Sequence, residues 1–323
     1  MTRAALGNLK LESGEVIQDF EQSYVTHGTL DAEKSNAILV CASLTGNHTR
    51  LDFLIGPGLA LDPARWFVVA TDAIGNGHST SPSNSKRQPG MRFPQFVLRD
   101  MVHAQHRLLT EHLGIERVHA VCGASMGGMQ ALQWGVSHPG FMRGLVAMTP
   151  MAKTHPWSAL VVATARACLM ADPAWTGDGF SRRPDRGYRA YAGLMSALVM
   201  RTPAVALERE LDEFVAQVEK HGFDAHDYLY QSRAYEAHDV GTTPGYDGDT
   251  HRALAAIRAK ALLLAPPLDL LNPAECAREA AQAIPGARFL EIPSTRGHQA
   301  ATKESRTGVE FLNAEIARFL AAC

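Results

Sequence analysis

No two cysteines in this chain are spaced as C-x-x-C, and the five present (Cys41, Cys122, Cys168, Cys276 and Cys323) are scattered. The missing pairs argue against a zinc site, and an odd, unpatterned set argues against a disulfide framework; both fit a reducing cytoplasm. Excess charge is also missing. With 31 basic and 33 acidic residues the net charge is −2, and no Lys/Arg block occurs. The surface as a whole therefore attracts neither nucleic acid nor an anionic membrane. Long hydrophobic runs are missing too. The start of the chain, M-T-R-A-A-L-G-N-L-K, carries no apolar segment of the secretory kind. The longest apolar stretch in the middle, S-A-L-V-V-A-T-A-R-A-C-L-M-A, is interrupted by Arg166 and is too short to span a bilayer. These absences predict a soluble, cytoplasmic protein.

What is present is an alternation. Short apolar runs rich in β-branched residues read as strands: 36–44, 65–72, 118–122, 144–150, 259–266 and 287–293. Between them lie amphipathic segments. Residues 97–114 repeat apolar positions at helical spacing up to Gly114, residues 125–138 run as a helix despite their glycines, and a final helix falls near 306–321. Strand–helix alternation with near-continuously apolar strands predicts an α/β fold, a mostly parallel sheet with helices on both faces. From about 151 to 250 the pattern turns helical, with no buried strand. The expected division is a core of 1–150 and 251–323, interrupted by a helical lid at 151–250 over the carboxyl edge of the sheet, where ligands bind.

At 123–127 the chain reads G-A-S-M-G, directly after the strand V-H-A-V-C and at the start of a helix. A lone serine in a glycine-rich turn can be incidental. Between a strand and a helix it is a nucleophile elbow: the serine sits on a strained turn, and the flanking glycines let the two elements pass. The N–H of Met126 would then donate to an oxyanion. A serine hydroxyl needs a base, and the base needs an orienting acid. His298 follows the strand 287–293. Asp269 follows the strand 259–266 and is the only acid between Arg258 and Glu275. All three candidates, Ser125, Asp269 and His298, fall at strand carboxyl ends in the chain order this fold uses. The loop A-S-L-T-G-N-H (42–48) should supply the second oxyanion donor, from Leu44 or Thr45. The glycines of T-D-A-I-G-N-G-H-S do not complete a dinucleotide loop and read as a tight turn near the pocket. His103 and His106 read as a solvated helix face rather than a metal pair, for want of a third ligand. Met170, Met195 and Met200 read as packing residues able to line an apolar acyl pocket.

The stretch G-A-S-M-G-G-M-Q-A-L-Q-W (123–134) resembles the signature of the homoserine O-acetyltransferase family. S-L-T-G (43–46), D-L-L-N-P (269–273) and G-H (297–298) are similar to its other motifs. The resemblance implies an α/β-hydrolase fold with a helical lid, a Ser125–His298–Asp269 triad, an oxyanion hole at Met126 with Leu44 or Thr45, and a homodimer through the lid. Two positions depart from the pattern. Gln299 stands where the family has an Asp suited to an amino group, and Gly222, in G-F-D-A-H-D-Y (222–228), stands where it has an Arg suited to a carboxylate. Tyr228 and Gln299 become the candidate substrate-binding residues, and Arg233 or Arg296 the candidate substitutes for the missing charge. A zwitterionic acceptor needs a partner for each charge. On that ground water is the expected second substrate. The expected activity is that of the family's hydrolytic branch: cleavage of short-chain, acetate-type esters with no metal or organic cofactor. The alternative is acyl-CoA-dependent O-acetyl transfer to homoserine or another alcohol.

Overall fold

The computed structural model describes the backbone of residues 1–323 and every side chain except that of His221. Eight strands form one sheet: β1 (Thr2–Lys10), β2 (Val16–His27), β3 (Ala37–Cys41), β4 (Phe67–Thr71), β5 (Val118–Ala124), β6 (Met142–Met148), β7 (Lys260–Ala265) and β8 (Arg288–Glu291). Their order across the sheet is β1-β2-β4-β3-β5-β6-β7-β8. From β4 onward every neighbouring pair is parallel, whereas β1, β2 and β4 pair antiparallel. The apolar runs became the parallel strands. The antiparallel hairpin at the start of the chain was not anticipated.

The strands alternate their side chains between two cores. Leu39, Val69, Val121, Leu145 and Leu263 face one side, covered by α1 (Leu98–Arg107) and α2 (Met126–Ser137). Ile38, Val40, Val68, Ala120, Val146 and Leu262 face the other, where Leu312, Ile316 and Phe319 of the carboxyl-terminal helix cover them. Each of these buried Val, Leu, Ile and Phe side chains contributes about 1.5–3 kcal/mol of hydrophobic stabilisation. After α1 the chain continues in a wider helical turn over 108–112 and stops at Gly114, whose φ of +63° is left-handed.

Between β6 and β7 the chain leaves the sheet for α3 (Pro156–Met170), α4 (Asp185–Tyr191), α5 (Pro203–Ala206), α6 (Leu211–His221) and α7 (Ala225–Glu236). It returns through α8 (Thr250–Ala255), which packs on α2. Then α9 (Ala274–Ala283) follows β7, and α10 (Arg306–Ala321) follows β8. The excursion has its own apolar core of Val161, Leu169, Tyr188, Tyr191, Met195 and Tyr228. Leu44 and Leu271, from loops at the carboxyl edge of the sheet, pack into it. The helical segment therefore covers the ends of β3 and β7.

Candidate active site

Ser125 sits between β5 and α2 with φ +57° and ψ −126°, a conformation that L-residues rarely adopt and that is held by its surroundings. Two glycines permit it. A Cβ on Gly123 would stand 2.1 Å from the Gly127 carbonyl oxygen, and a Cβ on Gly127 would stand 2.4 Å from that of Cys41. The first contact is β5 passing α2, and the second is α2 pressed on the end of β3. The Ser125 N–H donates to Met148 O (2.9 Å) and Thr149 Oγ1 (3.1 Å), which anchors the turn to β6.

The three residues expected to act together are brought together. His298 Nε2 lies 2.9 Å from Ser125 Oγ, and Nδ1 lies 2.7 Å from Asp269 Oδ2. With Nδ1–H donating to the carboxylate, Nε2 is left to accept the serine proton. Asp269 Oδ1 accepts the N–H groups of Leu271 and Asn272, both at 2.8 Å, so the carboxylate cannot rotate away. Ser125 is 4% exposed, His298 1% and Asp269 6%. This relay can move a proton from a hydroxyl to an imidazole in a nearly water-free space, where its charges interact strongly.

The choice between Leu44 and Thr45 is also visible. The Thr45 N–H donates to Gln231 Oε1 of α7 at 3.0 Å. Among the described residues no acceptor is bonded to the N–H of Leu44 or of Met126. Met126 N–H opens α2, and the Leu44 loop is tied beside it: Ser43 Oγ donates to Ala124 O (2.7 Å), and Gln130 Nε2 donates to Ala42 O (2.9 Å). Asn76, in the glycine turn after β4, donates from Nδ2 to Gly46 O (3.0 Å) and to Asp72 Oδ1 (3.1 Å), while His48 N donates to Asp72 (2.8 Å).

The substrate-binding candidates are dispersed. Tyr228 is fully buried in the lid core, and its hydroxyl has no hydrogen-bond partner among the described residues. Burial pushes its phenol well above the ordinary range, so it stays protonated. Gln299 is 9% exposed beside His298, and its N–H bonds to Met200 O of the lid at 3.2 Å. Gly222 is exposed at the carboxyl end of α6, where φ +52° makes it the left-handed cap. Arg233 lies over the Tyr230 ring and Arg296 pairs with Glu208. Of the expected packing methionines, Met195 is buried in the lid core, whereas Met170 packs on the main core. His106 is not simply solvated: it stacks on His138 at 4.2 Å, beside Trp134 and Phe141. The motifs assigned no role to Thr149, Gln231 or Asn272, although Asn272 lies within D-L-L-N-P; their contacts appear only when distant segments meet.

A serine elbow after β5, an acid after β7 and a histidine after β8, on a mostly parallel sheet, define an α/β-hydrolase, and the family model for the alpha/beta hydrolase fold matches residues 36–181. A homoserine O-acetyltransferase of Methanobrevibacter ruminantium is 32% identical, over 93% of this chain and 69% of its own. One of Geobacter sulfurreducens is 31% identical, over 96% of this chain and 95% of its own. An acetylester hydrolase from Corynebacterium glutamicum superposes with a TM-score of 0.93 at 28% identity, covering 99% of this chain and 95% of that one. The chain belongs to the homoserine O-acetyltransferase-like family of α/β-hydrolases.

These relatives overturn the expectation of an ester hydrolase: the curated proteins that match the chain almost end to end carry the name of a transferase. The inference toward water rested on two missing charge partners, at Gly222 and at Gln299. Gly222 is exposed, so the lack of an arginine there takes nothing from a buried site, whereas Gln299 is buried beside His298 and is a neutral group there.

Proposed function

We propose that the protein transfers an acetyl group from acyl-CoA to the hydroxyl of homoserine or a similar alcohol, through an acyl-enzyme on Ser125. The observation that carries this reading is the near-full-length likeness to homoserine O-acetyltransferases, joined to a triad in which every member is less than a tenth exposed. An acyl-enzyme kept from bulk water survives until an alcohol reaches it.

In this mechanism Ser125 Oγ attacks the thioester carbonyl while His298 Nε2 takes its proton. Asp269 holds the imidazole in place and stabilises its cationic form. The N–H groups of Met126 and Leu44 bind the oxyanion. The thiol leaves with the proton from His298. The acceptor hydroxyl then gives its proton to the same nitrogen as it attacks the acyl group, and collapse returns the proton to Ser125. The Gln299 side chain, next to His298, supplies a polar group for the acceptor.

The test is thiol release from acetyl-CoA with and without L-homoserine, with Ser125→Ala as the blank. Homoserine-dependent release that vanishes in the variant supports the reading. Serine-dependent thiol release that is indifferent to homoserine and to other alcohols would sink it.

A further inference from the structure

Gln231 lies in the lid, 186 residues along the chain from Thr45, yet its amide binds the loop that carries one oxyanion donor. It is 1% exposed and both ends of the amide are used: Oε1 accepts Thr45 N–H at 3.0 Å, and Nε2 donates to Ile74 O at 2.9 Å. One side chain thus spans the loop after β3 and the loop after β4. The loop it holds is under strain. Thr45 is β-branched and has φ +56°, a left-handed conformation that such residues avoid and that surrounding contacts must enforce. Neighbouring contacts fix the flanks, through Ser43 Oγ on Ala124 O and Asn76 Nδ2 on Gly46 O. The peptide unit between Leu44 and Thr45 is gripped at its N–H by Gln231. The Leu44 N–H lies in the preceding peptide, which shares the Leu44 Cα with the gripped one, so when Thr45 relaxes out of its positive φ the loop backbone at Leu44 shifts and that N–H is displaced.

We infer that Gln231 is a positioning residue: by holding the strained Thr45 peptide, it aims the Leu44 N–H at the oxyanion and makes the lid helix α7 part of the catalytic geometry. The inference rests on the acyl-enzyme reading of Ser125. An oxyanion donor acts on the charge that develops during reaction, so misaiming it lowers the rate of acylation and leaves ground-state binding unchanged.

The experiment follows the pre-steady-state burst of p-nitrophenolate from p-nitrophenyl acetate, which reports formation of the acyl-enzyme whatever the acceptor, so that kcat and KM below are those of the acylation step. It compares the wild type, Ser125→Ala, Gln231→Leu and Gln231→Glu across pH 6–8, with thermal melting of each. No Ser125-dependent release in the wild type would count against the acyl-enzyme itself. Given that release, Gln231→Leu is expected to lose on the order of 10- to 100-fold in kcat, with KM within about threefold. The ionisation of the base, read from the pH profile, should not move. A neutral carboxyl at this place can accept from Thr45 N–H and donate to Ile74 O, and burial raises a carboxyl's pKa, so Gln231→Glu should recover relative to Gln231→Leu as pH falls from 8 to 6. Wild-type kcat in a folded Gln231→Leu overturns the inference. So does a loss confined to KM. Should Gln231→Leu not fold, Gln231→Met, unbranched and of similar length, is judged by the same kcat and KM criteria, and wild-type folding with wild-type kcat there overturns the inference equally.

Discussion

Asn272 donates its side-chain N–H to the carbonyl oxygen of Thr149 at 2.7 Å, and so joins the loop of Asp269 to the turn of Ser125. At the Asn272 end, the backbone N–H holds Asp269 Oδ1, and Tyr235 donates to the side-chain oxygen. At the Thr149 end, the hydroxyl accepts Ser125 N–H. The separation of acid and nucleophile is set by this bridge as well as by the sheet.

Asn272→Ala should therefore weaken both function and fold. The Thr149 carbonyl and the Tyr235 hydroxyl are left buried without their partner, at a cost of about 1–3 kcal/mol in unfolding free energy. Urea unfolding gives that figure. Turnover should fall about tenfold or more beyond any loss of folded protein, because Asp269 and Ser125 lose their common brace.

Asp269→Asn should abolish most activity while leaving the fold intact. An amide can offer its N–H to Nδ1 and favour the wrong tautomer of His298, a change that costs roughly 10⁴-fold in enzymes using the same relay. Initial rates at saturating substrate, with circular dichroism for the fold, check it.

Gly127→Ala is predicted to damage fold and activity together. The new carbon would meet Cys41 O at 2.4 Å, a backbone atom that cannot swing aside. Overpacking of this kind costs about 1–3 kcal/mol or more, and here it also displaces the Met126 N–H. A lowered urea midpoint together with lost activity is the expected outcome.

A pH effect follows from the stacked rings at the far end of α2. Burial and the neighbouring His106 hold His138 down to about 4, and burial lowers His106 as well. In the unfolded chain both take up protons near pH 6.5. The unfolded state then binds more protons, so this pair's contribution to stability is present above pH 6.5 and is lost as pH falls toward 4. Burial acts oppositely on Asp227, raised to about 7, and Asp100, raised to about 6, whose stability is lost as pH rises through those values. The informative quantity is a difference. On acidification from pH 7 to pH 5, urea unfolding should show His138→Phe gaining stability relative to the wild type.

The triad was legible because its signal is local and ordered: a glycine-flanked serine after a strand, a single acid between Arg258 and Glu275, and the last histidine, each at a strand end. The hairpin β1–β2 was not. Only one side of β1 is buried, and its pairing shifts register around Gly7, which breaks the alternation a strand would show. Leu44 could not be separated from Thr45, because the acceptor that takes Thr45 N–H comes from α7, far along the chain. His106 looked like a solvated face because its partner His138 belongs to the end of a different helix. The missing arginine at Gly222 carried weight in the sequence that its exposed place in the fold does not bear.

Leu44 and Leu271 are shared property, packed into the lid's apolar core while their loops serve the site. A cover that merely rested on the sheet could be exchanged between relatives as a cassette. This one cannot. Its replacement would strip the apolar backing from the loop of Leu44 and from the loop of Asp269. Transplanting acceptor preference from one family member to another therefore means moving the lid and the loops after β3 and β7 as a single inherited block.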